Sequence, residues 1–306
     1  MPFCTYRKAE KGSQAKHMEN RFEALADQLM VGAYDLHLHS LPSVFAREMD
    51  GMELLREADQ YGMAGVMLKS HYEPTALRAE ILNKYSGCRA KAYGGLVLNW
   101  PVGGLNIYAV DEALKAGAKI IWMPTRDSAN SLRFGNMPGD FFDRPGIAVI
   151  DENDALLPEV LEIMDAVKEK GAWLATGHIS PKESVILCRE GRKRGVNMIL
   201  THPEFNRTVV DRDTQKELAS LGVKIEKCWF NIDGKMVTAE EMAETIRQVG
   251  HRNLFMCTDR GQKGWPTPPK SYRQFILTLL SQGITEEEIY VMSHEVPEMI
   301  LTSSGN

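Results

Sequence analysis

The 306-residue chain has no run of eighteen apolar residues, no CxxC pair, no block of five or six like charges and no GxGxxG after its first apolar segment. The first absence excludes a helix long enough to span a membrane. Five cysteines, Cys4, Cys88, Cys188, Cys228 and Cys257, form an odd set without paired spacing, which argues against a disulfide framework and a thiolate zinc site. Cys228 and Cys257 lie in apolar runs and read as core. With a net charge of −5 and no charged block, little on the chain attracts nucleic acid or an anionic membrane. The basic run REGRKR (189–194) falls at helical spacing and reads as a solvated face. The polar first twenty residues lack the apolar stretch of a secretory leader, so a cytoplasmic location is expected.

What is present is an alternation. Eight short apolar runs are candidate strands: AYDLHLH (33–39), AGVMLKSH (64–71), AYGGLVLN (92–99), KIIWMPT (119–125), AWLATGH (172–178), NMILTH (197–202), KIEKCWF (224–230) and NLFMCTD (253–259). Amphipathic segments such as MELLREADQYG, PEVLEIMDAVKEKG and AEEMAETIRQVG separate them, several ending in the glycine that closes a helix. Strand and helix repeating at about thirty residues predict an α/β fold, the (βα)8 TIM barrel. A doubly wound sheet is the rival, and the missing glycine fingerprint counts against it. Residues 1–18 read as a disordered polar segment and 19–306 as a single barrel domain. The helix MENRFEALADQLM is expected to cap the N-terminal mouth of the barrel. A long insertion after strand 4, residues 126–157, is rich in Gly, Pro, Asn and Asp and contains a small hairpin around DEND.

Five of the eight histidines, His37, His39, His71, His178 and His202, stand at or just past a predicted strand end, whereas His17, His251 and His294 lie elsewhere. In a parallel barrel those ends open on one face, so distant residues converge. His37 and His39, two apart on a strand, point the same way. The last strand brings Asp259 to the same rim. Imidazoles with a carboxylate suit a divalent cation, Zn²⁺ first, with Mn²⁺, Fe²⁺ or Co²⁺ as substitutes.

The ordered set HLH (37–39), GH (177–178), THP (201–203) and TD (258–259) resembles the amidohydrolase superfamily of metal-dependent hydrolases, from about residue 31 to 300. The segment VPEMIL is similar to the NPARLL stretch that often follows the last strand in that family. The resemblance implies one or two metal ions, with His37, His39 and Asp259 on the more buried ion and His178 and His202 holding or facing the other. It departs from the family at the fourth strand, KIIWMPTRDS, which has no bridging lysine or glutamate at its inward end. Lys69, on the second strand with His71 two residues on, is read either as a carbamate bridging two ions or as an ammonium that binds an anionic substrate group. Placing His71 there also resembles the polymerase and histidinol phosphatase family, whose substrates are phosphoesters.

Glu226, sharing a face with Cys228, reads as a partner of a ligand imidazole or as a salt bridge to Lys224 or Arg252. Arg126, Arg260 and Asn99, with Asp127, are candidate substrate contacts at other strand ends. Trp100, Trp229 and Trp265 are candidate pocket walls or core. The resulting expectation is a hydrolase using a metal-activated water on a small-molecule amide, lactone or ester. Asp259 is then the general base, and His202 and His178 stabilise the oxyanion. A metal-dependent phosphoesterase is the alternative, and a non-catalytic ligand-binding barrel a third reading. The expected partner is a small molecule, with neither nucleic acid nor membrane, and the sequence is compatible with a homo-oligomer.

Overall fold

The apolar runs become strands of three to seven residues. They are β1 (Tyr34–Leu38), β2 (Gly65–Leu68), β3 (Lys91–Val97), β4 (Ile120–Trp122), β5 (Trp173–Ala175), β6 (Asn197–Leu200), β7 (Lys224–Cys228) and β8 (Leu254–Cys257). The computed structural model describes residues 20–135 and 143–303. Neighbours in sequence are parallel neighbours in the sheet, in the order β1 to β8. The two ends meet: Asp259 N–H donates to His37 O at 2.7 Å, and His39 N–H to Arg260 O at 2.7 Å. Beneath this seam the buried Asp35 carboxylate accepts from Thr258 Oγ1 at 2.5 Å and Thr258 N–H at 3.1 Å. Burial pushes the Asp35 pKa up to about 7 against the pull of those bonds. The sheet is thereby closed, and the architecture is the (βα)8 barrel.

Outside it run helices whose starts are set by local chemistry. Capping boxes begin those at Gly51–Gln60 (Asp50 with Glu53), Pro181–Arg194 (Ser180 with Glu183) and Ala239–Val249 (Thr238 with Glu241). Gly195 ends Pro181–Arg194 at φ 80°, a left-handed cap that a side chain would strain. Each helix lays its apolar stripe on the sheet, as Leu54, Leu55 and Ala58 do.

The barrel interior is a separate apolar cluster: Leu36, Met67, Val97, Ile120, Trp122, Trp173, Ala175, Ile199 and Phe255. Strict alternation would send Leu36 and His37 to opposite faces. The β1–β2 register slips between Asp35 and Leu38, and this bulge lets Leu36 fill the interior while His37 also reaches the axis.

The floor is closed differently from expectation. Val291, Val296, Ile300 and Leu301, from a π-helical turn (Val291–Glu295) and the helix Val296–Thr302, complete the interior cluster. Trp173 Nε1–H donates to Ser303 Oγ at 3.0 Å. The helix at 20–30 instead joins the outer layer through Ala26, Leu29 and Met30, with Arg273 pairing to Glu23 and Asp27 at 2.6 Å each. The VPEMIL segment presents Val296, Ile300 and Leu301 on one side, which is what a barrel floor needs.

The hairpin in the insertion forms, with Ile150 bridging Leu156 antiparallel and Asp151 N–H donating to Ala155 O at 2.9 Å. Residues 1–18, expected to be disordered, lie outside the described residues. Among the described residues no helix is long and apolar enough to cross a membrane.

Candidate metal centre

The strands stop earlier than their apolar runs, so His39, Lys69, His71, Asn99, His178, His202 and Asp259 stand in the turns just beyond them. All are drawn to one mouth. His202 and Asp259 hold left-handed backbone conformations, at φ 25° and 52°, unusual for residues other than glycine. Gly177, at φ 61°, passes so close to Met123 O that a Cβ would strike it, and this brings His178 in.

Hydrogen-bond partners fix the histidine tautomers. His39 Nδ1 lies 2.7 Å from Lys69 O, which only accepts, so Nδ1 carries the proton and Nε2 a lone pair. That Nε2 is 3.0 Å from Asp259 Oδ1. His37 Nδ1 donates to the buried Glu226 carboxylate, leaving Nε2 facing Asp259 Oδ1 at 3.2 Å and Lys69 Nζ at 2.8 Å. Opposite them, His178 Nε2 and His202 Nε2 are 3.2 Å apart. A tetrahedral ion with nitrogen and oxygen ligands separates its donors by about 3.3 Å. Donor atoms at these spacings are joined either by a proton on one of them or by a cation between them. His37, His39 and Asp259 therefore fit one divalent ion, and His178 with His202 offers two donors for a second.

Electrostatics agrees for four of the five imidazoles; burial lowers His37 too, but Glu226 and Asp259 override it and raise His37 well above the usual imidazole range, so an ion there displaces its proton. Burial, then the Arg47 charge, takes the His39 pKa down to about 3. Burial takes His202 down to about 4 against the pull of Glu226 and Asp259, and holds His71 and His178 well below the usual imidazole range. These rings are in the neutral form that ligates. Burial disfavours charge on Asp259 and Glu226, but His37 overrides it, keeping Asp259 well below its usual value and Glu226 down to about 2.

Glu226 is the supporting group. Besides His37 it accepts from the thiols of Cys228 at 3.2 Å and Cys257 at 3.0 Å, side by side in the β7–β8 register. Of its two sequence readings, the imidazole partner is realised. The two cysteines are core residues and hydrogen-bond donors at once.

Lys69 is buried, 2.8 Å from His37 Nε2 and over the Trp122 ring at 5.3 Å. Burial lowers its pKa against the attraction of Asp259 and Glu226. His71 stacks on His39 with ring centroids 4.9 Å apart, and its Nδ1 is 2.9 Å from Thr125 Oγ1. Asn99 spans the loops, donating to His71 O at 2.8 Å and Thr125 Oγ1 at 2.7 Å while accepting from Thr125 N–H at 2.9 Å. Its amide thus orders the β2 and β4 ends. Arg260 is fully buried, paired with Asp233 and lying over the Trp265 ring at 4.5 Å. Arg126 lies over the Phe45 ring at 4.4 Å, and Asp127 is held by Arg144. Trp229 is core, whereas Trp100 and Trp265 are partly exposed.

Sequence reasoning passed over Arg47, Phe205 and Arg207. Phe205 packs against His178 and His202 at 5.5 and 4.9 Å between ring centroids. Only its place three residues after His202 hinted at this.

A comparison with curated proteins finds no match. Solved structures share the architecture. An amidohydrolase from Pseudomonas aeruginosa superposes with TM-score 0.62 at 14% identity, over 92% of this chain and 98% of its own. A probable dipeptidase, PvdM, from the same organism gives 0.64 at 11%, over 93% and 98%. A mutant organophosphorus hydrolase from Deinococcus radiodurans gives 0.57 at 13%, over 89% and 93%. At such identities the likeness is one of fold. The sequence pattern described as a family of unknown function (DUF6282) matches residues 32–226. That span is most of the barrel, and the chain belongs to this family.

Proposed function

We propose that the protein is a metal-dependent hydrolase acting on a small-molecule amide, lactone or ester. The observation that carries this reading is the pair of donor clusters, His37 with His39 and Asp259, and His178 with His202, at cation-coordinating distances. The fold shared with an amidohydrolase, a probable dipeptidase and an organophosphorus hydrolase supports it.

His37, His39 and Asp259 would hold one divalent ion, zinc first by donor type, and His178 and His202 a second. An ion held there lowers the pKa of water from 15.7 to about 7 and polarises the substrate oxygen. Asp259, whose side chain is 18% exposed, takes the proton of the attacking water and returns it to the leaving group. Glu226 keeps His37 oriented through Nδ1, and Lys69 O does the same for His39. Phe205 walls the His178 side from water.

Lys69 has two roles open to it. Burial lowers its pKa, and in the neutral form its nitrogen can add to CO2, losing a proton and forming a carbamate. That anion would bridge the two donor clusters. As an ammonium it would instead pair with an anionic substrate group.

A phosphoesterase is the second reading, favoured by His71 stacked on His39 as a further imidazole at the same mouth. Elemental analysis of protein purified without chelator tests the main reading. One or two equivalents of transition metal are expected, together with turnover of at least one class in a panel of lactones, esters, amides and phosphoesters. Absence of stoichiometric metal rejects the proposal, and turnover of phosphoesters alone transfers it to the second reading.

A further inference from the structure

Arg207 is buried in the turn beyond β6, its guanidinium clamped between the rings of Phe134 at 4.6 Å and Phe205 at 4.9 Å. Among the described residues its Nε and Nη1 have no hydrogen-bond partner, and it makes no ion pair. A guanidinium withdrawn from water without an anion is costly, so such a group is expected to receive one. The clamp is next to the chemistry, because Phe205 touches both His178 and His202, and the Arg207 charge acts on His178.

Arg207 does not stand alone. Arg126 and Arg47 both lie over the Phe45 ring, at 4.4 and 5.8 Å, and Arg47 Nε is also buried without a partner among the described residues. Arg47 acts on His39 and Asp259, and Arg126 acts on both Arg47 and Arg207, so the cationic groups lie near one another and near the histidines. Arg47 and Arg207 thus each keep a buried guanidinium nitrogen without a hydrogen-bond partner among the described residues. A site of this kind selects an oxyanion, which a guanidinium fork binds through paired N–H donors.

We propose that Arg207 anchors an oxyanion carried by the substrate, a carboxylate or a phosphate, with Arg47 and Arg126 adding to the attraction. This names the substrate class of the hydrolase and rests on that reading only for the bond that is broken. Phe134 and Phe205 fix the guanidinium so that the scissile group falls toward His178 and His202.

The test measures binding of butyrate, methylphosphonate and neutral butyramide to the protein as purified, by calorimetry, with metal content determined on every sample. Saturable binding of an anion but not of butyramide is expected, weakened at least tenfold in Arg207→Gln at unchanged metal content. Tighter binding of methylphosphonate identifies the phosphate source, and tighter or equal binding of butyrate the carboxylate source. Arg207→Lys, which keeps charge but loses the fork, should weaken binding several-fold and serves if the glutamine variant does not fold. Equal affinity in a folded variant, equal binding of butyramide, or no anion binding overturns the anchor. Arginine-dependent binding by protein that holds no metal leaves the anchor standing and rejects the hydrolase.

Discussion

The Glu226 carboxylate accepts the Nδ1 proton of His37, so that Nε2 of His37 is turned to Asp259 at 3.2 Å. A carboxylate behind a ligand imidazole fixes its tautomer and raises its basicity, and removing one commonly costs 10- to 100-fold in metal affinity. Glu226→Gln should therefore weaken metal binding by about that factor while the barrel folds. Competition against a chromogenic chelator measures it, and unchanged affinity would show that Glu226 only fills space.

Asp259 faces both His37 and His39 and its pKa lies well below the usual carboxylate range, so at neutral pH it is ionised, the form in which a carboxylate can accept a proton. Asp259→Asn retains the shape and removes the base. Turnover should fall by about 100-fold or more, with the circular dichroism spectrum preserved. A variant that keeps its rate would remove Asp259 from the proton transfer.

How far the site was legible follows from how each residue is specified. Strand ends carry local signatures, namely apolar runs that stop at histidine or aspartate, and these located His37, His39, His178, His202 and Asp259 before any geometry. Glu226 was ambiguous because alternation gives its face but not its partner across the barrel. Leu36 shows the limit of alternation itself, since the β1 bulge is a property of two strands together. Arg207 was invisible because nothing in the THPEFNRT stretch says that Phe134, from the helix Ala129–Phe134, will cover it. The floor was assigned to the wrong end of the chain for a similar reason. Both terminal segments are amphipathic, and only packing decides which one fits the interior.

Lys69 separates a one-ion from a two-ion site. Its nitrogen is 2.8 Å from His37 Nε2, and its charge acts on His37, His71, His178 and His202. With a bridging carbamate, Lys69→Met should lower the metal content from two equivalents to one, and intact-mass analysis of the native protein should show one added CO2. Unchanged metal content with a loss of anion binding would assign Lys69 to the ammonium role.

The metal-free protein should lose stability in acid. His39 and His202 have folded pKa values of about 3 and 4 against an ordinary 6.5. Below 6.5 the unfolded chain binds protons that the folded rings refuse, so each costs about 1.4 kcal/mol per pH unit until its folded pKa is reached. His71 and His178 act in the same direction. Asp35 opposes them, because with a folded pKa of about 7 it takes up its proton more readily when folded, offsetting one histidine over this range. His37, raised in the folded state, is protonated in both states below 6.5 and adds no slope there. Thermal unfolding of chelator-treated protein should thus show the midpoint falling between pH 6.5 and 4. A flat profile would mean that the imidazoles are solvated rather than buried and neutral.

Gly177 tests whether backbone, and not side chains alone, builds the centre. Its φ of 61° costs a non-glycine residue about 1–2 kcal/mol, and an added Cβ would also meet the Met123 carbonyl at the end of β4. Relief requires the turn to move, and His178 is the next residue, with its Nε2 only 3.2 Å from that of His202. Gly177→Ala should lower stability by about 2 kcal/mol or more in urea unfolding. Metal lost from the folded variant should be the ion assigned to His178 and His202, leaving the one assigned to His37, His39 and Asp259. Equal loss of both, with the fold intact, would mean that the two clusters form a single cooperative site.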